Sequence, residues 1–345
     1  MKIRKAYSYD DILLVPQYSE ITSRGSVDLS SKIGHIKLDL PILSANMDTV
    51  TEDAMAIAMH NAGGVGVLHR FAPLSGLGGQ ENWLLRMAEA GAPRIVSVGV
   101  SDHIPALQRT YDKCGFEGIC VDVAHGDHKQ VVDMLEKLDG VFDRDKVTFI
   151  AGNVATPGGA LTLAEAGAHV VKVGVGPGSV CTTRIQTGHG YPQFSAVAEC
   201  VEAVDELGCN IIADGGIRFA GDIVKALAVG ASAVMVGSML AGTEESPGEI
   251  FTLNGESYKR YRGMASREIQ EEKRSSRKAR VEGVSANIPL RGSVQAILQE
   301  LRHGIESGLS YSGATDLNSL LFAAEFVEVT AMTLAENHAH NTNRL

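Results

Sequence analysis

The chain has 345 residues, 44% of them hydrophobic, and a formal net charge of −10. This balance indicates a globular protein with one large α/β domain, and the acidic charge argues against nucleic acid or an acidic membrane as a partner. Residues 1–7 lack the apolar core of a signal peptide, no apolar run could span a bilayer, and the five cysteines contain no Cys-x-x-Cys pair, so we expect a reduced, cytoplasmic protein without a zinc site.

Eight short apolar runs recur along the chain, and each is rich in β-branched residues and bounded by glycine, as buried parallel strands are. They are residues 41–47, 64–68, 95–100, 118–123, 147–154, 169–175, 210–214 and 233–236. Helical periodicity occupies the stretches between them, including 127–138, 158–166, 195–207 and 219–229. Eight strands alternating with helices predict a single (β/α)₈ TIM barrel over residues 1–345, with a doubly wound sheet as the alternative.

Glycines and polar residues follow directly after most of the predicted strands. In a barrel these strand ends meet on one face, which is where barrel enzymes place their chemistry. Gly215-Gly216 and Gly237-Ser238 follow the last two strands, where glycine amides commonly bind a phosphate. Tight turns alone would also explain each pair, but two pairs in both expected places favour a phosphate site.

A glycine-rich loop ending in Cys181 follows the sixth predicted strand. Its glycines let the backbone turn sharply and point its dipoles at a ligand, and Arg184 lies three residues beyond the cysteine. This setting favours a nucleophilic thiolate. Most free cysteines are simply small buried hydrophobic residues, but the loop makes Cys181 a predicted catalytic nucleophile.

The strand and helix pattern stops between residues 242 and 290. Residues 270–280 are charged and nearly without apolar side chains, so they cannot form a core element. They form either a solvated surface segment or part of a mobile flap that closes over the site. The neighbouring segment 261–264 favours a flap of about residues 262–290.

Ordered motifs over essentially the whole chain resemble those of the IMP dehydrogenase/GMP reductase family. They are residues 9–16, 44–48, 122–126, 151–154, 176–184, 214–218, 237–243 and 261–264. The resemblance implies a purine nucleotide, GMP or IMP, whose phosphate and ribose are held at the strand ends while Cys181 faces purine C2. Single-domain members of the family also suggest a homotetramer.

The resemblance assigns roles residue by residue. The implied catalytic residues are Cys181, Thr183 and Glu282. The implied substrate-binding residues are Ser44, Ser179, Asp214, Gly215, Gly216, Gly237, Ser238, Tyr261, Gly263, Met264 and Gly283. The implied residues for a nicotinamide dinucleotide are Arg70, Asp122, Val123, Ala124 and Asn153. A potassium ion would be bound by Gly176, Gly178, Cys181 and Arg184.

The two branches of the family share a covalent bond between cysteine sulfur and purine C2. In the dehydrogenase, C2 of IMP loses a hydride to NAD, and water then hydrolyses the adduct. In the reductase, ammonia leaves C2 of GMP and NADPH delivers the hydride. Thr183 and Glu282 match the reductase pair that would protonate the ammonia.

Three observations favour the reductase, with NADPH as cofactor. Only residues 71–94 separate the second and third strands, too few for the CBS modules of most dehydrogenases. Residues 270–280 lack the tyrosine of the dehydrogenase flap, and residues 122–126 and 190–192 look like the reductase versions. Residues 217–222 and 242–245 look more like the dehydrogenase. We therefore expect a GMP reductase.

Two alternatives remain open from the residues. One is an IMP dehydrogenase without CBS modules, which would use NAD. The other is a barrel that only binds a purine nucleotide. Cys181 and Thr183 argue against the second alternative, because a binding module has no need of a nucleophile.

Overall fold

The computed structural model describes residues 3–72, 79–269 and 281–337. Within these residues, eight parallel strands form one sheet in the order β2-β1-β8-β7-β6-β5-β4-β3. The strands are β1 (Ile42–Ser44), β2 (Val65–Gly66), β3 (Ile95–Val98), β4 (Gly118–Asp122), β5 (Thr148–Val154), β6 (Val170–Val173), β7 (Asn210–Asp214) and β8 (Ala233–Val236). Beyond β2, Val67 pairs in parallel with Ile95, and the Leu68 N–H donates to the Ile95 carbonyl at 2.9 Å. This contact brings the sheet's two edges together, so the predicted TIM barrel is confirmed.

A helix of at least two turns follows each barrel strand and buries its apolar side. The helices are α1 (Asp53–Asn61), α2 (Gln80–Glu89), α3 (Ile104–Cys114), α4 (Lys129–Asp139), α5 (Pro157–Glu165), α6 (Gln193–Val204), α7 (Ala220–Ala228) and α8 (Val294–Tyr311). In α4 the buried residues Val131, Met134, Leu135 and Leu138 recur at helical spacing. The hydroxyl of Thr156 accepts the Gly159 N–H and fixes the start of α5.

A short hairpin closes the end of the barrel opposite the strand carboxyl ends. The hairpin strands Ser31–Ile33 and Ile36–Leu38 lie there, because the Gly34 N–H donates to Asn210 Oδ1 and the His35 N–H donates to Thr148 Oγ1. Thr148 and Asn210 are the first residues of β5 and β7. The remaining short elements are Tyr9–Asp11, Ile12–Leu14 (antiparallel to Phe326–Glu328), Arg24–Ser26, Thr183–Thr187, Asp205–Leu207, Leu317–Ala323 and Thr333–Glu336.

A three-stranded antiparallel sheet lies between β8 and α8 in the chain. Its strands are Phe251–Leu253, Glu256–Arg262 and Ser285–Pro289. The last two strands pair with each other, and Ser285–Pro289 lies inside the predicted flap of about residues 262–290. Residues 270–280 of that flap lie outside the described part of the chain. None of the helices in the described ranges combines the length and the apolar character needed to cross a membrane.

Candidate active site

A cavity of about 440 Å³ opens where the carboxyl ends of the barrel strands meet. Small-molecule sites commonly have this size, and barrel enzymes place them at this end. The predicted site residues that line it are Arg70, Asp122, Val123, Ala124, Asn153, Gly176, Gly178, Ser179, Cys181, Thr183, Asp214, Gly215, Gly216, Gly237, Ser238, Tyr261, Gly263, Met264 and Glu282. The structure therefore brings nearly all of them to one place.

Cys181 begins a short hydrogen-bonded chain of side chains in this cavity. Its thiol donates to Thr183 Oγ1 at 3.2 Å, and the Thr183 hydroxyl donates to Glu282 Oε2 at 3.0 Å. Such a chain can move a proton from the sulfur to the carboxylate. Cys200 and Cys209 do not line the cavity, and burial raises the pKa of each of these two thiols to about 12.

Backbone hydrogen bonds place Glu282 beside the cysteine loop despite the long separation in sequence. The Thr182 N–H donates to the Glu282 carbonyl at 2.9 Å, and the Glu282 N–H donates to the Ala265 carbonyl at 3.1 Å. Gly283 pairs with Cys181 in an isolated bridge and does not line the cavity. A Cβ at Gly283 would lie 3.3 Å from the Gly263 Cα, so the close approach of these segments favours glycine.

Backbone amides and hydroxyl groups cluster at the predicted phosphate end. Gly215 and Gly216 have φ values of +94° and +79°, and a Cβ at Gly215 would come within 3.0 Å of Pro177. The Ser179 hydroxyl donates to the Tyr261 hydroxyl at 3.4 Å. Burial raises the pKa of Tyr261, which keeps its phenol protonated as a donor. Uncharged donors of this kind suit a phosphate.

The cavity also contains a buried ion cluster that the sequence analysis missed. Lys172 in β6 has its Nζ 3.1 Å from Asp122 Oδ1 and 3.2 Å from Asp214 Oδ2. Burial by itself lowers the pKa of the Lys172 ammonium, but the two carboxylates outweigh it and raise that pKa above its ordinary value. Asn153 donates to Asp214 Oδ2 and to the Gly174 carbonyl, both at 2.9 Å. The sequence does contain a signal for this cluster, because Lys172 interrupts the otherwise apolar predicted strand at 169–175.

Two further predicted residues lie outside the cavity lining. Ser44 is fully buried, and its hydroxyl accepts from Thr51 Oγ1 at 2.8 Å, so it does not line the site; residues 45–47 do. The Arg184 guanidinium donates to the Tyr191 carbonyl at 2.6 Å, and the thiol's partner is Thr183 rather than Arg184. The predicted environment of the thiol is corrected accordingly.

The residues predicted for a nicotinamide dinucleotide share one side of the cavity. The Arg70 guanidinium lies over the Phe71 ring, 4.8 Å from its centroid. Its Nε is buried and has no hydrogen-bond partner among the described residues. A buried donor without a partner costs about 1–3 kcal/mol, so the arrangement fits a ligand that brings an acceptor to this position.

Comparisons with known proteins agree on one family. A family model described as "IMP dehydrogenase / GMP reductase domain" matches residues 6–340. A protein of Nitrosopumilus maritimus named inosine-5'-monophosphate dehydrogenase is 31% identical over 477 aligned positions, 99% of this chain and 99% of the relative. Relatives with the same name are 33% identical in Aquifex aeolicus (475 positions; 99% and 96%) and 35% identical in Cryptosporidium parvum (390 positions; 98% and 96%).

These relatives show that the predicted reductase branch is wrong. All carry the dehydrogenase name, which supports the alternative and removes the reason for expecting NADPH. The argument from the short connection at residues 71–94 fails because the Cryptosporidium parvum relative aligns over only 390 positions, so a protein of that name can be nearly as short. The tyrosine argument concerned residues 270–280, which lie outside the described residues.

Proposed function

The chain belongs to the IMP dehydrogenase/GMP reductase family, and on that premise we propose that it oxidises IMP to XMP with NAD. Its membership makes it a nicotinamide-dependent oxidoreductase of purine nucleotides. The dehydrogenase direction is supported by the names of its relatives. The observation that supports covalent chemistry is the hydrogen-bonded chain from Cys181 through Thr183 to Glu282 at the barrel mouth.

Nucleotide binding in this proposal uses the groups at the two ends of the cavity. Amides of Gly216 and Gly237, with the Ser179 and Ser238 hydroxyls, would bind the phosphate. The Asp214 carboxylate would accept hydrogen bonds from the ribose hydroxyls. The base would then lie against Gly263 and Met264, within reach of Cys181. This arrangement orients C2 toward the sulfur.

Cys181 and its two partners carry out the covalent steps. The thiol gives its proton through Thr183 to Glu282, and the sulfur adds to C2 of IMP. Arg70, Asp122, Val123, Ala124 and Asn153 would hold NAD, which supplies an acceptor for the hydride that leaves C2. The product of these steps is a purine bonded through C2 to Cys181.

Hydrolysis of that bond needs a base for water. After Glu282 has released its first proton to solvent, it can accept a second from water through Thr183. The water oxygen bonds to C2, the C2–S bond breaks, and XMP and the Cys181 thiolate result. Arg277 and Arg280 are further candidate bases in the sequence, and both lie outside the described residues.

The proposal includes a potassium ion and a homotetramer. The Gly176, Gly178 and Cys181 carbonyls belong to one loop, and carbonyl oxygens suit a monovalent cation. Arg184 could contribute only its carbonyl, because its side chain is itself a cation. Large exposed apolar side chains support assembly, including Ile185 and Phe322 at 82% and 86% exposure.

The test follows the absorbance of reduced nicotinamide and separates the nucleotides by chromatography. IMP with NAD should give NADH and XMP in equal amounts, faster in potassium than in lithium buffer. The Cys181→Ala variant controls for contaminating enzymes. Oxidation of NADPH in the presence of GMP, with no XMP from IMP and NAD, would overturn the proposal.

A further inference from the structure

Lys172 is a charged side chain in the interior of the barrel. It is 2% exposed, and its nearest neighbours on the sheet are Gly152 in β5 and Ile212 in β7. A Cβ at Gly152 would lie 2.7 Å from the Lys172 Cβ, so a residue with a side chain would displace the lysine. A buried ammonium costs several kcal/mol unless it is paired, so a specific arrangement must hold it.

Three oxygens from different parts of the barrel surround the ammonium. They are Asp122 Oδ1 at the end of β4, Asp214 Oδ2 at the end of β7, and Asn46 Oδ1 after β1 at 3.4 Å. An ammonium has three donors, so these contacts can use all of them. The two carboxylates are about one fifth exposed and line the cavity. Each therefore has one part fixed by Lys172 and another part available to a ligand.

The two carboxylates serve different ligands in the proposed function. Asp214 would receive the ribose of the nucleotide, and Asp122 would contact the dinucleotide. Without the ammonium, two like charges would face each other across a partly desolvated space, and one would have to move or take up a proton. A ligand that draws on one carboxylate therefore changes the balance of charge that the other experiences.

We propose that Lys172 is a positioning residue that couples the nucleotide and dinucleotide subsites through its shared contacts with Asp214 and Asp122. This inference rests on the proposed function, because it takes the two ligands from it. Lys172 holds both carboxylates in place for their ligands. Binding of either ligand then changes the affinity for the other, since coupling between sites is reciprocal.

The chain offers a matched control for this lysine. Lys259 is also 2% exposed, but it donates to the Glu244 and Ser246 carbonyls at 3.1 and 2.6 Å and does not line the cavity. Replacing either lysine by methionine removes a buried charge of the same kind. Only the Lys172 replacement should change how one ligand affects the other.

The experiment measures the dissociation constants of IMP and NAD by calorimetry, each alone and with the other present. A Cys181→Ala background prevents turnover. Lys172→Met should weaken the binding of IMP by at least about tenfold. It should also bring the coupling factor, which is the ratio of the dissociation constants of one ligand without and with the other, close to one. Lys259→Met should leave the IMP affinity and the coupling factor unchanged. Lys172→Arg, which keeps the charge, should restore most of the coupling.

Asp122→Asn gives a second test in case Lys172→Met does not fold. It should change the affinity for IMP, although Asp122 faces the dinucleotide, because the two carboxylates share one cation. IMP affinity and coupling that stay within about twofold in the folded Lys172→Met or Asp122→Asn proteins would overturn the inference. Failure of the proposed function is a separate result, namely no XMP from the wild-type protein with IMP and NAD.

Discussion

Two buried lysines of this chain show how the acceptor decides what a buried charge does. Lys172 at the barrel mouth contacts two carboxylates, whereas Lys259 in the three-stranded sheet contacts two backbone carbonyls. Burial is the largest influence on both pKa values and lowers each. The carboxylates outweigh it only for Lys172, so the pKa of Lys172 is raised and that of Lys259 is lowered. The charge of Lys172 is thus held by two carboxylates that line the cavity, and that of Lys259 by the backbone of the fold.

The largest expected effect of a substitution at the barrel mouth is at Cys181. Replacing it with alanine should reduce XMP formation by more than about a thousandfold, because the covalent route needs the sulfur. Nucleotide affinity should change little. Cys209→Ala is the control, since Cys209 donates to the Ala168 carbonyl outside the cavity and should alter only stability. Turnover by Cys181→Ala above a tenth of the wild-type rate would exclude the nucleophilic role.

Glu282→Gln should slow steady turnover by about 10²–10⁴-fold, because hydrolysis loses its base. Hydride transfer precedes hydrolysis, and the thiol can lose its single proton to solvent when the Glu282 carboxylate is absent. Stopped-flow absorbance should therefore still show a first turnover, about one NADH per active site, at a reduced rate. Glu256→Gln is the matched control, because Glu256 accepts from Tyr258 on the exposed side of the sheet. Loss of the first turnover together with the steady rate would show that hydride transfer itself requires Glu282 and would contradict its main role in hydrolysis.

Asp214→Asn should raise the KM for IMP by at least about tenfold, since charge-assisted hydrogen bonds contribute about 1.5–3 kcal/mol each. The paired variant Asp122→Asn should have its larger effect on the KM for NAD. Initial rates over both substrate concentrations measure the two constants. If the KM of Asp214→Asn for IMP stays within about threefold of the wild-type value, the ribose does not depend on the Asp214 carboxylate.

The smallest predicted effect concerns His169, at the closed end of the barrel. Its Nδ1 accepts the Phe149 N–H at 2.9 Å, and burial, followed by Arg144 and His35, lowers its pKa from 6.5 to about 4. Between those values the unfolded chain takes up a proton that the folded chain does not, so stability is lost as the pH falls. Because the ring is partly exposed, we expect a loss of roughly 1–2 kcal/mol.

Urea unfolding of the wild type and His169→Gln near pH 7 and near pH 4.5 measures this effect. Glutamine has no titrating ring, so the variant should lose part of the pH dependence. Equal pH dependence in the two proteins would contradict the assignment. Turnover near neutral pH should be similar in both, because His169 does not line the cavity.

The barrel was predictable because each strand is short, β-branched and bounded by glycine. The loops after the strands were predictable for the same reason, since their glycines and polar residues interrupt apolar runs. The apolar run at 41–47 contains both the end of a strand and the start of the following loop, and the sequence does not show where one becomes the other. Ser44 was therefore assigned to the site, although it is the last residue of β1 and is buried. Lys172 was missed because its partners, Asp122 and Asp214, are distant in sequence and meet only when the barrel closes.

The choice of branch was wrong for a different reason. Cys181, Thr183 and Glu282 support steps common to both reactions, so their presence does not determine the direction. The deciding observations were instead a short connection, a missing tyrosine, and the sequences at residues 122–126 and 190–192. A connection's length does not report on the chemistry at the barrel mouth. A base for water need not be a tyrosine when Thr183 contacts the thiol and Glu282 accepts from the Thr183 hydroxyl.

The central claim is that IMP is oxidised while bonded to Cys181. Glu282→Gln protein, in which the adduct should accumulate, is mixed with IMP and NAD, quenched in acid and digested for mass spectrometry. The account predicts that the peptide containing Cys181 gains the mass of one oxidised purine nucleotide, and that the peptide with Cys209 does not. Formation of XMP by the wild type, with an unmodified Cys181 peptide at every quench time in both proteins, would contradict it.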